Sequence, residues 1–292
     1  MKEYLKFKRS FTLIELLVVI AIIGLLSSVI LVSLSGPRQK AKITKALEFS
    51  QSVQHAIGIE AVGVWDFDDC TAKDLSGYKN NGTINGAICV DDTPYKLVGS
   101  GQGKNALSFD GNDDYVEVPN GTGAPFRQSS QITYSFWANI PSGGGGNVMG
   151  AGCAGGQGYG GISLNLDTFA FYWTPTTPVS DRYIFNNQSM GISAGTWNYF
   201  VVVMDYIAQT RAMYINGNFI STNMSGSASN WIPTSSFNSG QTDSIGARFI
   251  NSWFYFKGSI DSVHIYSTAL SVYEIQQRYL AGLETHQQLT IK

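Results

Sequence analysis

The pattern of apolar and polar residues divides the chain into two parts with different periodicity. Residues 13–34 contain no Lys, Arg, Asp, Asn or Gln, and Glu15 is the only charged residue among them. A helix over this run would be about 33 Å long at roughly 1.5 Å per residue, enough to cross a bilayer core of about 30 Å. The sequence therefore predicts a membrane-spanning helix, and the basic residues before it predict a cytoplasmic N-terminal end.

The helical pattern continues past this apolar run with one interruption. Pro37 removes a helix hydrogen bond, so we expect a kink near residues 35–36. Residues 38–55 return to three- and four-residue spacing of apolar side chains. The basic residues among them predict a solvated face just outside the membrane.

From Val62 onward the apolar residues form short alternating runs separated by turn residues, which predict strands. Asn216-Gly217 predicts a type I′ hairpin, because both central residues of that turn need positive φ. Ser271 and Glu274 have the spacing of a capping box and open a short C-terminal helix, for which Gly282 is the expected end. Many strands with one terminal helix predict a mainly β fold, an antiparallel sandwich.

Charge and cysteines refine this division. Residues 1–58 carry a net charge of +5 and residues 59–292 a net charge of −7. The acidic outer part argues against nucleic acid as a partner of the head. Disulfides persist outside the cytoplasm. Cys70 and Cys89 flank a short segment and are the expected pair, although the sequence alone does not fix the pairing, and Cys153 is left over.

Residues 11–24 resemble the N-terminus of type IV pilins and pseudopilins. The resemblance implies that a prepilin peptidase cuts between Ser10 and Phe11 and that the new amine is N-methylated. Ser10 departs from the family pattern, in which Gly precedes the cut. A secretory signal peptide fits poorly because the apolar run is long and no small-residue cleavage site follows it. A plain single-span anchor does not explain Glu15.

Glu15 would be the fifth residue of the processed chain. A carboxylate inside hydrocarbon is costly and needs a partner. The resemblance implies that Glu15 pairs with the Phe11 amine of a neighbouring pilin subunit and so sets the register of a growing filament. We therefore expect a single-pass membrane protein before assembly and an extracellular pilus or cell-surface protein afterwards.

The outer part resembles the laminin-G-like, concanavalin-A-like jelly-roll family over roughly residues 62–280. The resemblance implies four regions: a leader (1–10), a pilin-like helix (11–58), a jelly-roll domain (59–284) and a tail (285–292). Trp65 and Phe67 are expected in the core, as are Trp137 and Trp197. The resemblance depends on motifs that stand in the family's order: Trp65-Asp66-Phe67-Asp68, Asp74-Leu75-Ser76-Gly77, Asn80-Asn81-Gly82, Ala106-Leu107-Ser108-Phe109-Asp110-Gly111, Asp113-Asp114-Tyr115-Val116, Ser135-Phe136-Trp137, Trp197, Tyr214-Ile215-Asn216-Gly217, Gly258-Ser259-Ile260-Asp261-Ser262-Val263, Ala269-Leu270-Ser271 and Glu274-Ile275.

The resemblance also implies a calcium ion, which in related sandwiches ties the first strand to the last. By alternation Asp261 shares the expected buried face with Val263 and Ile265, where a carboxylate needs a partner. Oxygen ligands suit calcium, so the predicted ligands are Asp68, Asp110 and Asp261. The alternative is hydrogen bonding of these carboxylates to backbone amides.

Catalysis is not expected. Glucanases of this fold need two carboxylates near the scissile bond, but Glu117 is the only glutamate between Val64 and Tyr273. Asp113-Asp114 fits a turn or an ion site better. His264 is the only histidine of the sandwich and falls opposite the expected core face by alternation.

Ligand binding is the stronger expectation. The Gly-rich run of residues 139–161 predicts a long flexible loop in which Tyr159 could be exposed. Trp173, Trp231, Trp253 and Tyr255 lie in or beside predicted loops, where aromatic side chains either bind sugars or cap the core. The sequence favours a pilus subunit, minor or at the tip, with a head that binds glycan or protein. The alternatives are a pseudopilin of a type II secretion or DNA-uptake machine and, less favoured, a surface-tethered glycan hydrolase.

Overall fold

The computed structural model describes part of the chain: residues 13–22, 61–91, 105–118, 130–151, 159–174, 181–186, 190–205, 208, 210–221, 243–248 and 254–286. The chain divides into two compact units, residues 1–52 and 53–292. The predicted cleavage point at Ser10 and Phe11, the kink at Pro37, the leader and the tail lie outside the described residues, and so does Cys153.

The first unit contains helix α1, residues 13–22. Its apolar side chains are exposed, among them Leu13, Ile14 and Ile20, and the Glu15 side chain is exposed as well. Within the described ranges, no helix is both long enough and apolar enough to cross a membrane.

The second unit is mainly β, and its described residues form fifteen strands followed by one helix. The elements are β1 (Ala61–Trp65), β2 (Thr83–Asn85), β3 (Ile88–Asp91), β4 (Asn105–Asp110), β5 (Tyr115–Val118), β6 (Gln131–Asn139), β7 (Gly146–Ala151), β8 (Tyr159–Leu164), β9 (Thr168–Thr174), β10 (Asp181–Asn186), β11 (Trp197–Asp205), β12 (Thr210–Ile215), β13 (Asn218–Ser221), β14 (Asp243–Ile245), β15 (Lys257–Tyr266) and α2 (Val272–His286).

The strands form two antiparallel sheets. The eight-stranded sheet has the order β13-β12-β11-β6-β15-β4-β3, and β1 also pairs with β15. The first half of β15 pairs with β4 and its second half with β1, so β1 and β4 follow one another along the same edge of β15. The seven-stranded sheet has the order β10-β9-β8-β7-β14-β5-β2. This is the expected antiparallel sandwich with a short C-terminal helix.

The main core contains buried apolar side chains from both sheets, including Leu107, Phe136, Phe169 and Phe200. Trp65 and Phe67 belong to it, which confirms their predicted burial. A second cluster joins the other face of the eight-stranded sheet to α2 through aromatic and aliphatic side chains: Ala61, Trp137, Tyr199, Val201, Val203, Tyr214, Tyr266, Leu270 and Ile275. Trp137 is therefore buried as expected, but beneath the helix.

A β-bulge in β15 changes the face on which Asp261 lies. The register with β6 shifts between Asp261 and His264, where Ser262 has a φ of 49°. Ile260, Val263 and Ile265 all enter the main core. The Asp261 carboxylate instead meets His286 of α2, with Oδ2 at 2.8 Å from Nε2. The expectation that Asp261 shares a face with Val263 was wrong, because alternation fails across a bulge.

Local turn and cap signals were confirmed. Asn216 and Gly217, with φ of 52° and 73°, connect β12 to β13. The Glu274 carboxylate accepts hydrogen bonds from the Ser271 amide and hydroxyl, both at 2.7 Å, which is one half of the capping box. Gly282 does not end α2, because the helix continues to His286.

The Gly-rich run of residues 139–161 is not one long loop, because it contains β7 and the start of β8. The glycines of β7 allow close approach of backbone. A Cβ at Gly150 would clash with the carbonyl oxygen of Arg248, and a Cβ at Gly146 would clash with that of Tyr255. Gly146 and Gly150 are therefore needed because another backbone segment packs directly against β7.

A loop after β1 is held by the Asp74-Leu75-Ser76-Gly77 and Asn80-Asn81-Gly82 motifs. The Asp74 carboxylate accepts hydrogen bonds from the amides of Val64, Ser76 and Asn80 at 2.8–3.0 Å. The Asn80 side chain donates to the Val62 carbonyl. Cys70 and Cys89, the pair favoured by the sequence, form a disulfide that ties this region to β3.

Candidate ligand-binding surface

The outer face of the seven-stranded sheet carries a group of aromatic side chains beside an arginine. Val116 and Val118 of β5 point into the main core, so Tyr115 and Glu117 alternate onto the outer face. The Tyr115 and Tyr255 rings lie 6.4 Å apart between centroids. The Cζ of Arg248 lies 5.5 Å from the centroid of the Phe254 ring, and Phe254 is 55% exposed. We call Tyr115, Arg248, Phe254 and Tyr255 the aromatic patch.

The segment that carries Phe254 and Tyr255 is fixed against β7. The side-chain amide of Asn147 donates to the Phe254 carbonyl at 3.0 Å, and the Phe256 amide donates to the Gly246 carbonyl at 2.8 Å. Ala247 and Tyr255 form an isolated antiparallel bridge. Gly246 has a φ of 84°, and a Cβ there would clash with the Phe109 ring. Backbone hydrogen bonds on both sides therefore hold the patch in place.

The chemistry of the patch combines ring faces with polar groups. Burial raises the pKa of Tyr115, and the nearby Glu117 carboxylate and Tyr255 raise it further, so its phenol is a neutral donor and acceptor. Arg248 adds a guanidinium donor. Phe254 is exposed and the two tyrosines are partly buried, and aromatic side chains beside a few fixed polar groups are typical of small-ligand sites. The patch is suited to a ligand that has both apolar faces and hydroxyl groups.

An acidic turn directly precedes Tyr115. Carboxylate oxygens of Asp110, Asp113 and Asp114 lie within 4.8 Å of one another. The amide and side chain of Asn112 donate to the Asp110 carboxylate, which lowers the pKa of Asp110. Burial raises the pKa of Asp114, whose Oδ2 accepts from the Asp110 amide at 2.8 Å.

The structure does not bring the three predicted calcium ligands together. Asp110 pairs with Lys257 at the start of β15, whereas Asp261 lies four positions further on and bonds His286. Asp68 lies near the opposite end of β4, where its carbonyl accepts from the Asn105 side chain at 2.7 Å. The three aspartates lie apart, because the bulge directs Asp261 toward α2 and Asp68 and Asp110 lie near opposite ends of β4. The calcium ion stays a prediction.

Tyr159, Trp173, Trp231 and Trp253 were predicted from the sequence as ligand-binding residues in or beside loops, and the first two lie in strands. Tyr159 opens β8 and pairs with Thr174, and Trp173 of β9 pairs with Gly160. Trp231 and Trp253 lie outside the described residues. Sequence reasoning missed Tyr115, Arg248 and Phe254. The available signal was the short aromatic run at residues 253–256, beside Tyr255, which the sequence had placed near a loop.

His264 lies opposite the main core, as predicted, on the face covered by α2. Its Nδ1 lies 2.9 Å from the Ser262 carbonyl, and its ring is parallel to that of Tyr266 at 6.0 Å. Burial lowers the pKa of His264 to about 4, and the Arg278 charge lowers it further. The imidazole is therefore neutral at physiological pH, with its Nδ1–H donated to the backbone.

Comparison with known proteins agrees with both parts of the chain. Residues 5–31 match the prokaryotic N-terminal methylation motif, which is typical of pilins. The comparison with curated proteins found no match. Residues 110–276 match the model described as the concanavalin A-like lectin/glucanases superfamily.

Solved structures share the fold at low identity. Domain 4 of AbnA, an extracellular arabinanase from Geobacillus stearothermophilus, in complex with arabinotriose, is 19% identical with a TM-score of 0.53, covering 75% of this chain and 98% of that one. The receptor-binding domain of botulinum neurotoxin C/D mosaic serotype is 13% identical with a TM-score of 0.55, covering 78% and 52%. The binding domain of botulinum neurotoxin DC in complex with SialylT is 15% identical with a TM-score of 0.52, covering 77% and 52%. This chain thus matches about half the length of the neurotoxin chains. Because the superfamily match covers more than half of this sequence, the protein belongs to the concanavalin A-like lectin/glucanase superfamily.

Proposed function

We propose that this chain is a subunit of a type IV pilus-like surface filament whose jelly-roll head binds a carbohydrate at the aromatic patch. The observation that carries the binding proposal is the occurrence of two side-chain pairs, Tyr115 with Tyr255 and Phe254 with Arg248, which adjoin at the neighbouring residues Phe254 and Tyr255. Aromatic rings pack against the apolar faces of sugars, and the guanidinium and phenols supply hydrogen bonds to hydroxyl groups. A structural neighbour crystallised with arabinotriose supports a sugar as the ligand.

The filament proposal is supported by the N-terminal segment. The methylation motif covers Ser10, Phe11 and Glu15, and the apolar side chains of α1 are exposed and available to a membrane or to other subunits. The partners proposed here are a prepilin peptidase and further pilin subunits. A pseudopilin of a type II secretion or DNA-uptake machine shares the same N-terminal requirement, and a short, transient filament would favour that alternative.

No catalysis is assigned to the head. Glu117 is the only glutamate in its strands and lies beside the aromatic patch. His264 lies on the other sheet, where its Nδ1 is hydrogen-bonded to the Ser262 backbone carbonyl. The two groups lie on different sheets, so they do not form an acid–base pair.

The binding proposal is tested with the purified full chain in detergent. Titration against a glycan panel that includes arabinan oligosaccharides, with calcium and with EDTA, should identify a ligand. Tyr255→Ala should then weaken its binding by about fivefold or more, since loss of a stacked ring costs roughly 1–3 kcal/mol. Tyr78→Ala is the matched control, because Tyr78 is a 51% exposed tyrosine in the loop after β1. Equal binding by the two variants would rule out the patch, and a loss of binding with EDTA would support the predicted calcium.

Filament assembly is tested at Glu15. Glu15→Ala should insert into the membrane at the normal level but fail to form filaments, because the apolar run would lack the carboxylate that pairs with the Phe11 amine of a neighbouring subunit. Glu48→Ala removes a glutamate outside the apolar run and should assemble normally. Electron microscopy of surface filaments together with membrane fractionation distinguishes these results. Normal filaments from Glu15→Ala would contradict the proposed role.

A further inference from the structure

A buried arginine lies between α2 and the eight-stranded sheet. Ile275, Arg278 and His286 are buried along one side of α2, at helical spacing. Arg278 is 9% exposed, and its Cζ lies 4.4 Å from the centroid of the Tyr266 ring. The guanidinium therefore covers the aromatic surface of β15.

The inner edge of this guanidinium has no partner. Nε and Nη2 are both buried without a hydrogen bond. These two N–H groups lie on the same edge of a guanidinium, where they form a fork that binds a carboxylate through two parallel hydrogen bonds. The Tyr266 and Ser135 hydroxyls are also buried nearby, and the Ser135 hydroxyl is within hydrogen-bonding reach of the Tyr266 and Tyr199 phenols. The unpaired fork of α2 thus lies beside hydroxyl groups of β15 and β6.

These groups are close neighbours. Ser135 pairs with His264 in the sheet register, next to the pair formed by Tyr134 and Ile265. The Ser135 hydroxyl and the Arg278 charge both act on the pKa of Tyr199 and on that of Tyr266. The Arg278 charge also acts on His264. The guanidinium is therefore the centre of a polar group that includes two phenols, one hydroxyl and one imidazole.

Every titratable group in this set other than Arg278 is neutral. Burial raises the pKa of Tyr199 and of Tyr266, and burial with the Arg278 charge lowers the pKa of His264. The carboxylates that flank the region are engaged elsewhere. Glu274 directs Oε2 to Ser271 at the start of α2, and Asp261 pairs with His286. The Glu274 charge also acts on Tyr266, but among the described residues no carboxylate hydrogen-bonds Nε or Nη2 of Arg278, and burial of an unpaired charge is costly.

We propose that the Arg278 fork, with the hydroxyls of Tyr266 and Ser135, binds a small monovalent anion between α2 and the sheet. A halide or a carboxylate as small as formate meets this chemistry, since either accepts several hydrogen bonds and offsets one positive charge. The bound anion stabilises the docking of α2. This proposal is independent of glycan binding and of filament assembly.

The test is thermal unfolding of the full chain in detergent, followed by tryptophan fluorescence. The protein is first exchanged into sodium sulfate and then titrated with sodium bromide, chloride or formate at constant ionic strength. A saturable rise in Tm of about 2–4 °C is expected, because a ligand that binds only the folded state stabilises it. A larger shift with formate identifies a carboxylate as the preferred anion, and a larger shift with bromide identifies a halide.

Matched variants assign the effect. Arg278→Met keeps an apolar stem over Tyr266 and should lose the saturable shift. Arg278→Lys keeps the charge without the fork and should need a higher anion concentration for the same rise in Tm. This variant tests the proposal if Arg278→Met does not fold. Arg211→Met removes a half-buried arginine on β12 and should retain the shift. Bromide-soaked crystals should show an anomalous peak beside Arg278 Nε. A missing saturable shift, its persistence in Arg278→Met or the lack of that peak would overturn the proposal.

Discussion

At the scale of single residues, His264 and His286 lie on the same face of the eight-stranded sheet in opposite electrostatic settings. Nδ1 of His286 lies 3.0 Å from the Gly282 carbonyl and Nε2 lies 2.8 Å from Asp261 Oδ2. Both ring nitrogens of His286 therefore face acceptors. Its ring is parallel to that of Trp137, with centroids 4.3 Å apart. His264 faces one carbonyl and the Arg278 charge, and stays neutral.

His264 predicts a loss of stability in acid. Its folded-state pKa of about 4 lies below the ordinary 6.5. As the pH falls, the unfolded state binds the proton first. The free energy of unfolding is therefore highest above about pH 6.5, and it falls by at most about 3 kcal/mol between about pH 6.5 and about pH 4. His264→Gln has no imidazole to titrate and should lack this loss of stability in acid. Urea unfolding of both proteins at pH 7 and pH 4.5 measures the difference, and identical pH dependence would contradict it.

Gly282 predicts a steric effect at one helix position. A Cβ there would lie 2.5 Å from Trp137 Nε1, and Trp137 is buried and cannot move aside. Gly282→Ala should therefore lower stability by about 1–3 kcal/mol, although alanine favours helix by about 1 kcal/mol. Gln276→Ala, at an exposed position of the same helix, should change it little. Thermal unfolding of the two variants decides, and a more stable Gly282→Ala would show that α2 does not pack closely on Trp137.

At the scale of elements, signals that act within a few residues were visible in the sequence. Asn216-Gly217 and the Ser271–Glu274 pair act through their own turn or first helical turn, so their residue types were sufficient. The bulge at Ser262 was not visible. Serine carries no preference for a φ of 49°, and the shift exists because β15 must pair with β6 on one side and with β4 and β1 on the other.

The loop after β1 predicts that one carboxylate fixes a whole element. Asp74 accepts three amide hydrogen bonds, including one from Val64 in β1. Asp74→Ala leaves these donors without their partner and should cost about 2–3 kcal/mol. Asp69→Ala, which removes an exposed carboxylate bonded only to nearby Thr71, is the control. Hydrogen exchange of the Val64 and Asn80 amides should accelerate in Asp74→Ala alone. Unchanged exchange would mean that β1 holds the loop without Asp74.

At the scale of the whole molecule, fold class was predictable and the assembly of the site was not. The alternating apolar runs and the single terminal helix in the sequence were sufficient to predict an antiparallel sandwich. The aromatic patch depends on Tyr115 and Tyr255, which are far apart in sequence and meet because the segment after β14 folds back over β7. That return requires glycine at position 150, and from sequence alone the glycines indicated a flexible loop. Contacts between distant segments leave no local pattern.

The shared edge of β15 has a mechanical consequence. The chain enters the head through β1, whose residues pair antiparallel with the second half of β15. If a ligand holds the head while the chain before Ala61 is pulled, the force runs along β1. It then loads the hydrogen bonds between β1 and β15 in shear, so these bonds resist together rather than breaking one after another. The amides of Val64 and Leu75, bonded to the Asp74 carboxylate and the Val64 carbonyl, add anchors at the end of this strand. The strand that begins the domain is thus arranged to transmit force without unravelling it.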